Sequence, residues 1–496
     1  MHSIFAAVAL FMAPVPALVS YANTEPPRPG HPDRAVPILP ARVARAIDSK
    51  DARADVDKLV SFGTRHTLSD TESATRGIGA ARAWIKAEFE AIAGASGGRM
   101  EVFLDEHEVP PDRAGSPASR TPNGAGIVNV VAVLRGTSEA AMGKGSGRRY
   151  YVVGHYDSRN GDGMDAAGDA PGANDDASGT AVVIECARAL AAHPLESTVV
   201  FMCTAGEEQG LFGARLHAEQ AAADGLPILG VLSCDIVGDP GAPSPEHATP
   251  HARGLVRVFS EGVPRNAGAA EMASIRGLAA ESDSPSRQLA RFVAEVAKWH
   301  DLPVKPTLVF RPDRFLRGGD HSAFNEATQK QDVYPRYAWA GWKGYPAVRF
   351  TELDEDYSRQ HQNIGEETGP DGAQRRTGDV PEYVDAEYVA DVARLNAAAL
   401  VHLANGPTPP VNVRIVTAEL TNSTTLRWDA SPESDVAGYE LVWRATTAPE
   451  WEGGVDLGIA LQATVDYNKD DWFFGVRAYD HEGYRSPVVF PVAARE

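Results

Sequence analysis

Apolar runs and segments of helical period alternate along the chain from about residue 46 to residue 405. Residues 127–134, 150–153, 199–203 and 228–234 are apolar and rich in β-branched side chains. Such runs read as strands covered on both faces. Residues 177–192 place Val182, Val183, Cys186, Ala189 and Leu190 on one side of a helix. Residues 386–403 do the same with Val389, Val392, Leu395, Ala399 and Leu403, and a further helix is expected over 211–223. The alternation predicts an α/β fold with a mostly parallel central sheet flanked by helices.

The pattern changes after "ANGPTPP" at 404–410, where a glycine and three prolines end the last helix. "VNVRIVTA", "TTLRWDA", "AGYELVWRA" and "DWFFGVRAYD" are short alternating strands divided by turn residues. Residues 408–496 therefore predict a C-terminal β-sandwich. Through Trp428, Tyr439 and "VRAYDHEG" this part resembles a fibronectin type III domain, a module that binds or spaces. At the other end, residues 4–19 are apolar and Ser20-Tyr21-Ala22 is a small-x-small triplet. Residues 1–22 are read as a signal peptide and residues 23–45, rich in Pro, Arg and Ala, as a linker. The expectation is an exported protein, periplasmic or secreted. Pro14 and Pro16 oppose a membrane helix, and no later run is long enough for a stable span once the signal is removed.

The chain has 496 residues, a formal net charge of −20 and a pI of about 5.2. That length calls for more than one domain. The acidic balance argues against nucleic acid as a partner. Three cysteines, Cys186, Cys203 and Cys234, all in apolar runs, make no disulfide framework and read as core residues.

Candidate chemistry enters at the strand ends. In order stand "GHYDS" (154–158), "GANDDASG" (172–179), "AGEEQG" (205–210), "SCDIVGD" (233–239), "GGDHSAF" (318–324) and "DYSRQHQN" (356–363). Three of these directly follow an expected strand. In open α/β sheets the loops at the carboxyl ends of strands line the ligand crevice. His155, the pair Glu207 and Glu208, and Asp235 then converge, although far apart in sequence. A mixed set of His, Asp and Glu suits zinc, and a divalent cation removes the repulsion among gathered carboxylates. Taken singly each motif is ordinary. Adjacent glutamates are usually solvated, and Asp176 reads as the cap of the helix that follows. Asp162, Asp165 and Asp169 fit no EF-hand spacing, and His247 and His251 lie among loop residues. There is no HExxH or G-x-x-x-x-G-K-[ST] pattern.

The ordered motifs resemble the M28 family of zinc-dependent exopeptidases over residues 50–405. The resemblance implies two zinc ions per chain and peptide or protein substrates. It implies that His155 and Asp235 bind one zinc, that Glu208 and His361 bind the other, and that Asp175 bridges both. Glu207 is then the general base, and Asp157 orients His155. His321 is the alternative to His361 as a ligand, because Gln360 and Gln362 flank His361 and Tyr357 precedes it by four residues. Tyr357 is expected to donate to the oxyanion. The implied activity is release of single residues from peptide ends, N-terminal residues first. A carboxypeptidase, a single-zinc glutaminyl cyclase and a non-enzymatic binding protein are the alternatives on this fold.

Overall fold

The computed structural model describes residues 19–21, 35–112, 120–138, 147–241, 252–265, 267–328, 342–369, 372–418 and 420–494. An eight-stranded sheet forms the centre. Across it run Met100–Val109, Ala125–Leu134, Thr198–Thr204, Arg149–His155, Ile228–Cys234, Ala347–Glu352, Leu255–Ser260 and Lys305–Val309. The four middle strands, from Thr198–Thr204 to Ala347–Glu352, are mutually parallel. The first two strands pair antiparallel on one flank, and Leu255–Ser260 runs antiparallel to Ala347–Glu352 on the other. The fold is thus α/β with a largely parallel sheet. The apolar runs form the middle of that sheet because helices cover both faces: Val152, Val199, Phe201 and Leu232 belong to one apolar cluster, and Val153, Val200, Met202 and Val231 to another.

Helix Ala177–Leu190 lies against Ala386–Asn405, the longest helix, on one face. Asp176 caps the former by accepting from the Gly179 amide at 2.8 Å. A Cβ on Gly179 would stand 2.1 Å from the Cys234 carbonyl oxygen, and one on Gly154 would stand 2.7 Å from the Gly179 carbonyl carbon. Only glycine permits this approach, which draws the start of the helix onto the ends of two strands. All three cysteines are buried and unpaired.

The N-terminal linker expectation needs correcting. From residue 35 the segment is folded, and Ile38–Arg45 is a helix that buries Val43 and Ala44 against Ala386–Asn405. Its apolar positions are hidden by two prolines, Pro37 at the N-cap and Pro40 in the first turn, where a missing N–H breaks no intrahelical bond. Of the expected signal segment only Val19–Tyr21 is described, as a strand parallel to Gln462–Val465. The rest of it, with His247 and His251, lies outside the described residues.

Beyond Asn405 two small sheets face each other. One carries Val411–Val416, Thr424–Asp429, Gln462–Val465 and Val492–Ala494; the other carries Val436–Ala445, Gly453–Asp456 and Trp472–Asp480. Leu426 and Trp428 from the first and Leu441, Trp443 and Val476 from the second share one buried cluster, as a sandwich requires. The second sheet sits on helix Pro285–Trp299. Arg477 reaches Glu295 at 2.9 Å and Glu440 at 2.7 Å, and Arg444 reaches Asp283 at 2.6 Å, all nearly solvent-free.

Candidate metal centre

Three neighbouring parallel strands end at one place. Arg149–His155 delivers His155, the turn after Thr198–Thr204 delivers Glu207 and Glu208, and the residue after Ile228–Cys234 is Asp235. Asp175 comes from the loop before helix Ala177–Leu190, and its peptide bond to Asp176 is cis. His361 comes from the turn beyond Ala347–Glu352 and has a left-handed backbone, φ 54°. A non-glycine residue is uncommon there, and such conformations concentrate at functional sites.

The carboxylate of Asp175 stands between the two histidines. Its Oδ1 lies 3.1 Å from His155 Nε2 and its Oδ2 lies 2.8 Å from His361 Nε2. His155 Nε2 also faces Asp235 Oδ1 at 3.8 Å, and His361 Nε2 faces Glu208 Oε1 at 2.9 Å. One donor atom from each of His155, Glu207 and Asp235 lies within 4.8 Å of the others; the same holds for Asp175, Glu208 and His361. Buried His155 Nε2 makes no well-directed hydrogen bond despite Asp175 at 3.1 Å, and points into the acids. An orphan imidazole nitrogen amid converging carboxylates is a donor set that fits zinc.

Asp157 fastens the centre together. Its carboxylate accepts from the Glu207 amide at 3.3 Å, the Glu208 amide at 3.2 Å and Thr67 Oγ1 at 3.0 Å. Oδ1 is also 3.5 Å from His155 Nδ1. Asp379 accepts from the Asn174 and Asp175 amides at 2.7 and 2.8 Å and so fixes the loop bearing Asp175. Burial pushes the Glu207 carboxyl well above the usual range, and Asp235, Glu208 and Asp320 add to the shift against the opposing pull of His155. Burial also raises Asp175, but His361 and His155 outweigh it and hold that carboxyl well below the usual range. Within one cluster the surroundings thus raise the proton affinity of Glu207 and lower that of Asp175.

Two expected residues are not brought in. His321 is buried, but its Nε2 lies 2.7 Å from the Pro312 carbonyl oxygen and 3.7 Å from Asp313. It belongs to neither donor group. The Tyr357 side chain is 60% exposed and lies beside the Arg317 guanidinium, 6.0 Å from the ring centre. The turn over 357–361 leaves Tyr357 largely exposed while returning His361 to the acids.

Several residues of the site carried no signal in the motifs. Arg349, wholly buried, places Nη2 2.9 Å from Asp235 Oδ1. Arg159 donates to Glu208 Oε2 at 3.0 Å and to His361 Nδ1 at 2.7 Å. Gln360 donates to Asp175 Oδ2 at 2.9 Å. Arg159 follows "GHYDS" and Gln360 precedes His361, so proximity in sequence was the only available clue; Arg349 had none.

Comparison with known proteins adds the following. The profile of peptidase family M28 matches residues 129–293. A probable zinc metalloprotease of Leptosphaeria maculans is 42% identical over 449 residues, covering 90% of this chain and 95% of its own. Another, of Pyricularia oryzae, is 42% identical over 450 residues, covering 90% and 82%. Among solved structures, the aminopeptidase LapA of Legionella pneumophila aligns with a TM-score of 0.48 and 17% identity, covering 75% of this chain and 78% of its own. The glutaminyl cyclase of Porphyromonas gingivalis aligns with a TM-score of 0.41 and 15% identity, covering 71% and 98%.

Proposed function

The chain belongs to the zinc metalloproteases of peptidase family M28, and from that premise we propose that it is a two-zinc exopeptidase releasing N-terminal amino acids. The observation that carries this reading is Asp175, which turns one oxygen to each of two histidines. In the proposal His155 and Asp235 would hold one zinc, Glu208 and His361 would hold the other, and Asp175 would serve both. Zinc bound there supplies the Lewis-acid charge that acidifies water and polarises a carbonyl.

The chain's own residues do the rest. Glu207 stands within reach of His155 and Asp235 and accepts the proton of the attacking water. It then passes that proton to the leaving amine. Its burial keeps its affinity for a proton high, which suits a group that must take one and return it. Asp157 holds the glutamate turn and the inner side of His155, so base and ligand keep their relative positions. The cationic α-amine of a peptide finds carboxylates at the centre, which favours attack next to a chain end.

The decisive variant is Glu207→Gln. It should retain zinc, counted by atomic absorption, and lose about 10²–10⁴ in kcat on aminoacyl substrates. Turnover near that of the parent would end the assignment of Glu207. Blocking the substrate's α-amine by acetylation should abolish cleavage, and cleavage within a blocked peptide would identify an endopeptidase. The proposal also takes the C-terminal sandwich as fibronectin type III-like and residues 1–22 as an export signal. The N-terminal sequence of the mature protein tests the latter.

A further inference from the structure

The cleft above the metal centre encloses about 360 Å³. Among the described residues Leu211 is its one hydrophobic side chain; Arg120, Arg314 and Arg317 line it together with polar Gln209, Gln360 and His361. A cleft for an apolar terminal residue would be lined the other way.

This wall is short of counter-charge. Glu355, its side chain 1% exposed, meets three guanidinia: Arg257 at 2.5 Å, Arg314 at 2.8 Å and Arg317 at 3.8 Å. Asp313 meets Arg314 at 3.2 Å and Arg349 at 3.3 Å. Four arginines thus share Glu355 and Asp313, apart from Asp235, which belongs to the metal centre. Arg317 has the longest of these contacts and, at 34% side-chain exposure, is the most open of the four to solvent. Arg314 is 7% exposed and held in place, so it backs Arg317 with a fixed positive charge. Arg120, also in the lining, forms no ion pair with a carboxylate among the described residues. A surplus cation on a chain of net charge −20, beside a site that must receive a substrate, calls for an anion from that substrate.

We propose that the cleft selects peptides with a carboxylate next to the scissile bond, paired by Arg317. The proposal rests on the exopeptidase reading above. A guanidinium offers planar paired donors that match a carboxylate, and the low-dielectric cleft strengthens the pairing. The carboxylate has two possible sources: the side chain of an N-terminal Glu or Asp, or the free C-terminus of a dipeptide.

The test compares kcat/KM of the zinc-loaded full chain on two matched pairs. Glu-p-nitroanilide against Gln-p-nitroanilide probes the side chain. Leu-Gly against Leu-Gly-amide probes the free C-terminus. A carboxylate advantage of about tenfold or more is expected in one pair, the usual worth of a charge-assisted hydrogen bond. That pair identifies the source. In Arg317→Gln the ratio should collapse towards one, whereas Arg317→Lys should keep part of it. Ratios within about twofold of one for both pairs, or a ratio untouched by Arg317→Gln, would overturn the proposal while leaving the exopeptidase reading in place. Failure to hydrolyse any of the four would instead overturn the exopeptidase reading, and the proposal with it.

Discussion

Arg159 and His361 set a tautomer problem at the metal centre. A guanidinium has no lone pair to offer, so His361 Nδ1 accepts from Arg159 and the imidazole proton lies on Nε2, facing Asp175 and Glu208. A cation on Nε2 requires that proton to leave or move to Nδ1, with the guanidinium turned aside. Arg159 therefore competes with metal for both Glu208 and His361. Arg159→Gln should tighten zinc at this group, read as a lower dissociation constant in chelator competition. Burial lowers the proton affinity of His361, but Glu208 and Asp175 outweigh it and raise its pKa to about 10; a proton on Nδ1 excludes Arg159 as a donor there, so the charged ring and the Arg159 contact are alternatives. Near neutral pH zinc must then displace a proton. Calorimetry in buffers of different ionisation enthalpy should record proton release, and zinc affinity should fall as pH falls. His361→Ala should lose bound zinc and His321→Ala should keep it; the reverse result would reassign the ligand.

At the scale of elements, helix Pro285–Trp299 is the joint of the molecule. One side closes the central sheet through Leu289, Val293 and Val296. The other meets the C-terminal sandwich through charge: Glu295 to Arg477, Arg291 to Asp283, and Asp283 on to Arg444. Buried pairs of this kind contribute little net stability when complete, but removing one partner strands the other without water. Arg477→Ala strands Glu295 and leaves Glu440 with Arg485 at 3.4 Å, and should cost about 3–5 kcal/mol in urea unfolding. Replacing Arg477, Glu440 and Glu295 together by apolar residues should cost much less. An Arg477→Ala loss under about 1 kcal/mol would mean that water reaches the joint.

For the whole molecule, the sandwich and the catalytic part behave as one folding unit. His402, near the end of the longest helix, stands 2.8 Å from His300, with Nε2 facing Nε2, and beside Tyr484 of the sandwich. Burial takes the His300 pKa down to about 4. Burial, then His300, Arg485 and Arg477, hold His402 well below its ordinary value. Both rings bind protons more weakly folded than unfolded. Stability is therefore complete above the unfolded value near 6.5 and is lost as pH falls from there towards 4. The melting temperature should drop through that window, and His300→Ala should flatten the slope. A chain ended at Gly406 would expose Trp299, Asp283 and Glu295 at once and should be insoluble or unfolded.

The amino-acid sequence by itself determined the middle of the sheet, three of its covering helices, the start of the sandwich and the donor types at the strand ends. These follow from local rules: a strand covered on both faces must be continuously apolar, and the residue after it must emerge at the sheet edge. Its signals were weaker where a strand or helix covers only part of the core. Met100–Val109 alternates in burial, and Ile38–Arg45 carries Pro37 at its N-cap and Pro40 in its first turn. Tertiary structure alone decided which histidine meets Asp175, that Tyr357 faces solvent, and that four arginines share two carboxylates beside the cleft. Those outcomes depend on turns that close across long stretches of chain and on charge pairs such as Arg349–Asp235 and Arg159–His361. Electrostatic pairing has no period along a sequence, so nothing local could have announced it.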